Sequence, residues 1–328
     1  MKPKPELHKL VHGDLVEVRS AEEILATLDQ TGALNELPFM PEMLGFLGER
    51  FRVHRRVEHF SFDGDELCGE ESSVRAFADD DVVILENVRC AGGTHGGCKR
   101  GCTIFWREAW LRRTTLDEPA SQPGNPDKLA SRLKTQDDSE PDLFYCQSSQ
   151  LLTATYPLSA KERILRCIRN VTTKNYRLSE MARNLLMWIF VRGRQRLLGV
   201  YPMGTLQKTP VESLDLEVGE LVEVKSLAEI TKTLDRRGWN RGLHFAPEMI
   251  PYCGQQLRVT SRADRMITEG TGRMRSMKNT VILENAICDS ATWAFGACPR
   301  QDYIYWREIW LKRVNESEHH ENSNSITA

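Results

Sequence analysis

A chain of 328 residues is long enough for two domains, each with its own core. Its 44 Lys and Arg against 46 Asp and Glu leave a formal charge of −2, which argues against a protein that grips polyanions over its whole surface. The longest apolar run, Leu185 to Val191, is too short to span a bilayer, and no apolar run follows Met1-Lys2-Pro3-Lys4-Pro5 as it would in a signal peptide; no membrane partner and a cytoplasmic location are expected. In a reducing compartment nine cysteines point to metal ligands or buried thiols rather than to a disulfide framework.

Read in order, the chain repeats itself. Gly13-Asp14-Leu15-Val16-Glu17-Val18 returns as Gly219-Glu220-Leu221-Val222-Glu223-Val224, and the apolar/polar alternation of both suits a half-buried strand. Ser20 followed by Glu23 is a capping box, predicting a short helix that ends near Gly32. Thr27-Leu28-Asp29 with Gly32 returns as Thr233-Leu234-Asp235 with Gly238. Pro41-Glu42-Met43 returns as Pro247-Glu248-Met249 and predicts a helical turn with proline in its first turn. Arg52-Val53 returns as Arg258-Val259. Alternation over Phe51–Phe60, then Val82–Val88 and Thr103–Arg112, supplies the remaining strands. Val83-Ile84-Leu85-Glu86-Asn87 and Trp106-Arg107-Glu108-Ala109-Trp110-Leu111 return as Val281 to Asn285 and Trp306 to Leu311. Such shared order makes duplication of one unit the reading.

The fold class that follows is mainly β with α insertions: two homologous SH3-like small barrels, at 8–114 and 214–314. Residues 115–142, rich in Asp, Ser, Pro and Lys, read as a flexible, disordered linker. Residues 143–213 read as a helical connecting segment, with a capped helix from Ser159 and a second from Ser179 to Leu198. The polar tail 315–328 is expected to be disordered.

Cys90, Cys98 and Cys102 share a loop between two strands, and thiolates suit tetrahedral zinc. The fourth ligand is Cys146, Cys68 or His95, with Cys146 preferred because it would tie the linker back onto the first barrel. In the second copy Cys288 and Cys298 match Cys90 and Cys98, Asp302 replaces Cys102, and Cys253 stands where the first copy has Leu47. His244 or Asp302 would complete a second zinc site with Cys253, Cys288 and Cys298; packed thiols are the alternative. One or two zinc ions per chain are expected. The tryptophans alternate with polar residues and read as core rather than as a binding platform.

Lys161, Arg163, Arg166, Arg169, Lys174, Arg177, Arg192, Arg194 and Arg196 make 161–196 the strongly basic region, a candidate contact for nucleic acid or an acidic partner. No Walker loop, dinucleotide fingerprint, His-Glu-x-x-His or Gly-x-Ser-x-Gly occurs. Cys98 with His95 is the nearest approach to a catalytic pair, and metal binding explains it equally well.

Cys298-Pro299-Arg300 with Tyr305-Trp306-Arg307-Glu308-Ile309-Trp310-Leu311, and the middle run Tyr145-Cys146-Gln147-Ser148-Ser149 with Ala154-Thr155, resemble a type of bacterial two-repeat SH3-like protein. The resemblance implies the duplicated architecture and carries no activity. The Gly-x-Leu-Val-Glu-Val opening is also similar to the SH3-like half of nitrile hydratase's non-catalytic subunit and to ribosome-associated barrels. The expected function is a non-enzymatic binding or scaffold protein with structural zinc and a protein partner. A nucleic-acid-binding protein and a metal-dependent enzyme, or an accessory subunit of one, are the alternatives.

Overall fold

The computed structural model describes residues 9–62, 73–137, 140, 142–198, 202–288 and 297–314. It is mainly β, with two five-stranded sheets, each curled into a half-barrel. The first contains β1 (Leu15–Val18), β2 (Arg50–Arg56), β5 (Val82–Arg89), β6 (Thr103–Arg107) and β7 (Leu111–Arg113), in the order β6-β5-β2-β1-β7. Two further strands, β3 (Phe60–Phe62) and β4 (Ser73–Phe77), pair beside it with β8 (Thr155–Pro157). The second half-barrel repeats that order with β9 (Leu221–Val224), β10 (Gln256–Arg262), β13 (Thr280–Ile287), β14 (Tyr303–Arg307) and β15 (Leu311–Arg313). Its side pair is β11 (Arg265–Ile267) with β12 (Met274–Ser276).

The repeat extends to irregularities. The β2–β5 register slips between Val53 and Arg55, and the β10–β13 register slips between Val259 and Ser261. Asn87 and Asn285 both take positive φ, 59° and 55°, inside β5 and β13 where the pairing with β6 and β14 breaks. Asparagine tolerates the left-handed region because its short amide can bond locally. Each core is built on the same aromatic trio: Phe39 meets Trp110 edge-on at 5.3 Å, and Phe245 meets Trp310 at 5.2 Å. Both indole N–H groups donate to a threonine hydroxyl, Thr27 or Thr233, at 3.1 Å. Trp106, Trp110, Trp306 and Trp310 are fully buried, as core residues should be.

Helix α1 (Ala21–Leu25) is shorter than the sequence predicts. The Asp29 carboxylate accepts from the N–H groups of Thr31 and Ala33, at 2.8 and 3.0 Å. That loop gives the backbone an alternative to further helix. A tight hairpin follows, turning at Asn35 and Glu36, both at positive φ. The second repeat does the same at Asp235 and at Arg241-Gly242. Its helix α5 (Leu227–Thr231) starts at Ser226, whose hydroxyl accepts from Glu229 N–H while the Glu229 carboxylate accepts from Ser226 N–H. Ser226→Ala should therefore cost about 1 kcal/mol in thermal or urea unfolding, as a lost N-cap does.

Residues 115–137, read as a flexible linker, run along the first half-barrel. Ser121 N–H donates to the buried Glu17 carboxylate, Ala21 N–H donates to Pro123 O, and Leu129 of a helical turn at Asp127–Ala130 is fully buried. Main-chain partners hold this segment, and composition does not encode them. Residues 138, 139 and 141, the tail 315–328 and Cys68 lie outside the described residues. The connecting segment is also partly built into the first repeat. Helix α2 (Gln147–Ala154) inserts Gln147, whose amide accepts from Phe105 N–H at 2.9 Å and donates to Phe105 O at 2.8 Å and Pro38 O at 3.0 Å. Helices α3 (Ala160–Thr172) and α4 (Leu178–Leu198) follow. No helix among the described residues is long and apolar enough to cross a membrane.

Candidate metal centre and the seam between repeats

The 3-10 turn Pro41–Phe46 carries Glu42 to the loop after β5. There Glu42, Cys90 and His95 bring one ligand atom each within 4.8 Å of one another, a buried group that could hold a metal ion. Among the described residues this is the one such set, and the second repeat supplies none. Glu42 Oε1 lies 2.8 Å from His95 Nδ1 and accepts from Thr94 N–H at 3.2 Å. His95 Nε2 faces the carbonyl of Tyr145 at 3.1 Å. Nε2–H can thus donate to Tyr145, a common arrangement behind metal-bound histidines, while Nδ1 bonds Glu42 Oε1 and would ligate only on giving up its proton. Glu42 Oε2 is buried with no hydrogen-bond partner. An ionised oxygen left in that state is costly unless a cation shares it.

Burial opposes ionisation of Glu42, but the His95 hydrogen bond and the nearby ring and Thr94 outweigh it and hold the carboxyl down at about 2. Burial pushes the thiols the other way. Cys90 rises far above the usual thiol value, with Cys102 and Glu42 adding to the effect; Cys102 is pushed up to about 12 and Cys146 to about 11. These thiols are neutral at physiological pH unless a cation draws off the proton, which a bound metal does outright.

Cys90, Cys98, Cys102, Cys146 and His95 all line one cavity of about 30 Å³. The expected thiols therefore converge. The close set differs, however: Glu42, which the sequence did not single out, joins Cys90 and His95 in the group that could hold an ion, and Cys98, Cys102 and Cys146 line the cavity without joining the trio. The loop depends on glycine at Gly92, where φ is +66° and a Cβ would fall 2.0 Å from Cys98 O.

The second thiol set does not assemble. Cys253 and Cys288 pack against the core of the second repeat, whereas Cys298 is buried in that of the first. The reason is a reciprocal seam. Cys98 Sγ accepts from Ile267 N–H on β11, and Cys298 Sγ accepts from Ser61 N–H on β3, each at 3.4 Å. Arg100 donates to Ile267 O at 3.4 Å, and Arg300 donates to Ser61 O at 3.2 Å. Counting from the Arg52/Arg258 match, Ser61 and Ile267 are the same position of the repeat. Each cysteine loop thus caps the other repeat's side strand, as in a two-fold dimer. Both arginines converge on Glu269, Arg100 at 3.0 Å and Arg300 at 2.6 Å. Asp302, proposed as a ligand, pairs with Arg300 at 2.9 Å. His244 stacks near Trp239 instead.

Of the basic run, Arg166 and Arg169 turn inward. Arg166 meets Asp80 at 2.8 Å and donates to Glu58 O; Arg169 meets Asp80 at 2.7 Å and Glu58 at 3.2 Å. They fasten α3 to the first repeat and are not offered to phosphates. Arg163 donates to Leu158 O. Lys161, Lys174, Arg177, Arg192 and Arg196 are exposed, and Arg194 is half-buried.

Compared with known proteins, the chain matches no family model, no curated protein and no solved structure.

Proposed function

We propose that this chain is a binding protein: two SH3-like barrels fused face to face, with a buried zinc ion fastening the first cysteine loop and another protein as its partner. The observation that carries the metal reading is Glu42 Oε2, an orphaned buried oxygen beside a thiol and an imidazole nitrogen. Oxygen, sulfur and nitrogen donors together suit zinc, and a thiolate from Cys98, Cys102 or Cys146 would close a tetrahedron. The cavity of about 30 Å³ has room for an ion or a water but not for a substrate, which favours a structural over a catalytic centre. The eight cysteines among the described residues are all free, which suits the reducing cytoplasm.

Protein purified without chelator should carry one zinc per chain by elemental analysis, and Cys90→Ser and His95→Ala should each lose it. Iron or copper would move the reading to a redox or catalytic centre. Metal-free protein that takes up no zinc on dialysis would remove the metal altogether.

A further inference from the structure

The two repeats differ in charge at one matching place, a rim made by the loop before β5 or β13 and by the hairpin after the first helix. In the first repeat Asp79, Asp80 and Asp81 form the loop, and Asn35 stands at the hairpin turn. Glu108 N–H donates to Asp81 O as Glu308 N–H donates to Asn279 O, and Arg107 donates to Asn35 O as Arg307 donates to Arg241 O. The second repeat thus carries Met277, Lys278 and Asn279 in the loop and Arg241 at the turn. An acidic rim has become a basic one.

The change leaves one arginine without a counter-charge. Arg107 is buried against two carboxylates, Asp81 at 2.5 Å and Asp79 at 3.7 Å. Half-buried Arg307 donates instead to the Asn240, Arg241 and Lys278 carbonyls and to the Thr280 hydroxyl, and among the described residues no carboxylate pairs with it. A guanidinium carries five N–H donors, so one remains. Burial, then the nearby Arg241 and Arg275, pull Arg307 below the ordinary arginine value. A cation so placed gains from an anion brought to it. The acids around the rim are engaged elsewhere, Glu212 with Lys225 at 3.1 Å and Asp264 with Arg262 at 3.5 Å.

The first repeat also shows what covers such a rim. Helix α3 lies against it, with Arg166 and Arg169 on Asp80. In the second repeat Lys278 and Arg241 are exposed, and Trp239, at the place of the buried Ala33, is 38% exposed on the same hairpin as Arg241. Tryptophan and arginine together are the residues on which interfaces are most often anchored. On the reading of the chain as a binding protein, we propose that this rim of the second repeat docks an acidic segment of a protein partner, whose carboxylates meet Arg307, Arg241 and Lys278 and whose apolar side chains pack on Trp239. The contact has the form of α3 on the first repeat with its polarity reversed. A second copy cannot offer its own matching acids, because Asp79 and Asp81 hold Arg107 and Asp80 holds Arg166 and Arg169. A phosphate backbone would have to run past the exposed Asp264, whose carbonyl accepts from Met277 N–H, and the exposed Asp215, and both repel it.

Fluorescence anisotropy of labelled model peptides against the full chain tests this. A Leu/Glu peptide should bind, and its Leu/Lys counterpart should not. Arg241→Glu/Lys278→Glu should weaken the Leu/Glu peptide by about tenfold or more, with an unchanged melting temperature because both side chains are exposed. Met277→Asp/Asn279→Asp restores to Arg307 the acids that Arg107 has, and should weaken the same peptide by about tenfold from within the chain. Trp239→Ala should weaken it by about threefold or more. Failure of the Leu/Glu peptide to bind, equal binding of both peptides, or binding that the first two variants leave unchanged overturns the assignment. So does a single-stranded oligonucleotide that binds more tightly than the peptide and is lost from Arg241→Glu/Lys278→Glu, or a dimer that this variant converts to monomer. A protein partner that is retained in full by Arg241→Glu/Lys278→Glu would keep the binding reading while removing this rim from it.

Discussion

Glu269→Ala should destabilise the folded chain by about 3–5 kcal/mol, the cost of breaking a buried ion pair from one side. Glu269 is almost fully buried and is the shared partner of Arg100 and Arg300. Removing it leaves Arg300 with Asp302 and the Ser61 carbonyl, and leaves Arg100 with the Ile267 carbonyl alone. Neither arginine can shed its charge to escape, because guanidinium does not deprotonate in proteins. The Arg100–Glu269 contact crosses the seam, and Glu269 also holds Arg300, which itself reaches Ser61 of the first repeat, so the loss falls on the coupling of the two half-barrels. Urea unfolding followed by tryptophan fluorescence should change from one transition to two, since each repeat has its own aromatic trio to report on it. Glu269→Gln, which keeps an acceptor for one arginine, should lose less. An unfolding curve for Glu269→Ala that overlays the parent would show that the seam is held by something else.

The seam also shows what the sequence could and could not reveal. Duplication was legible because each copy buries the same residues at the same strand positions; Trp106 and Trp110 return as Trp306 and Trp310 in the same packing. The convergence of Cys90, Cys98, Cys102 and Cys146 on one cavity was legible from loop sharing and from Tyr145-Cys146 opening an ordered segment. Glu42 was missed, although Pro41-Glu42-Met43 is part of the repeat, because its motif reads as a helix start and nothing local links it to a loop some fifty residues away. The second thiol set failed for a different reason. Matching Cys298 to Cys98 is correct, but the sulfur in each case bonds a backbone N–H of the other repeat. Patterning within a copy carries no information about the face that two copies present to each other. Arg166 and Arg169 show the same limit: their charge is visible in sequence, while the Glu58 and Asp80 that neutralise it lie on another element.

Glu42→Gln should cost the metal-free protein about 3 kcal/mol at neutral pH, the free-energy equivalent of holding a carboxyl at about 2 instead of 4.5. A carboxyl held down in the folded state stabilises it fully only above the unfolded value. That contribution falls away as pH drops from about 4.5 toward 2. Parent and Glu42→Gln proteins, both kept in chelator, should therefore differ most above pH 5 and converge in acid when unfolding is followed against pH. The difference separates two roles of one side chain. If Glu42 serves only as a metal ligand, the two apo proteins will have the same stability at pH 7 and will diverge only when zinc is added. If it also anchors the loop through His95 and Thr94, the gap will be present in chelator and will widen with zinc, because free metal at a thousand times its dissociation constant adds about 4 kcal/mol to whichever protein can bind it. The hydrogen bonds from Thr94 and His95 to Glu42 Oε1 favour the second outcome, and the orphaned Oε2 is the atom left for the ion.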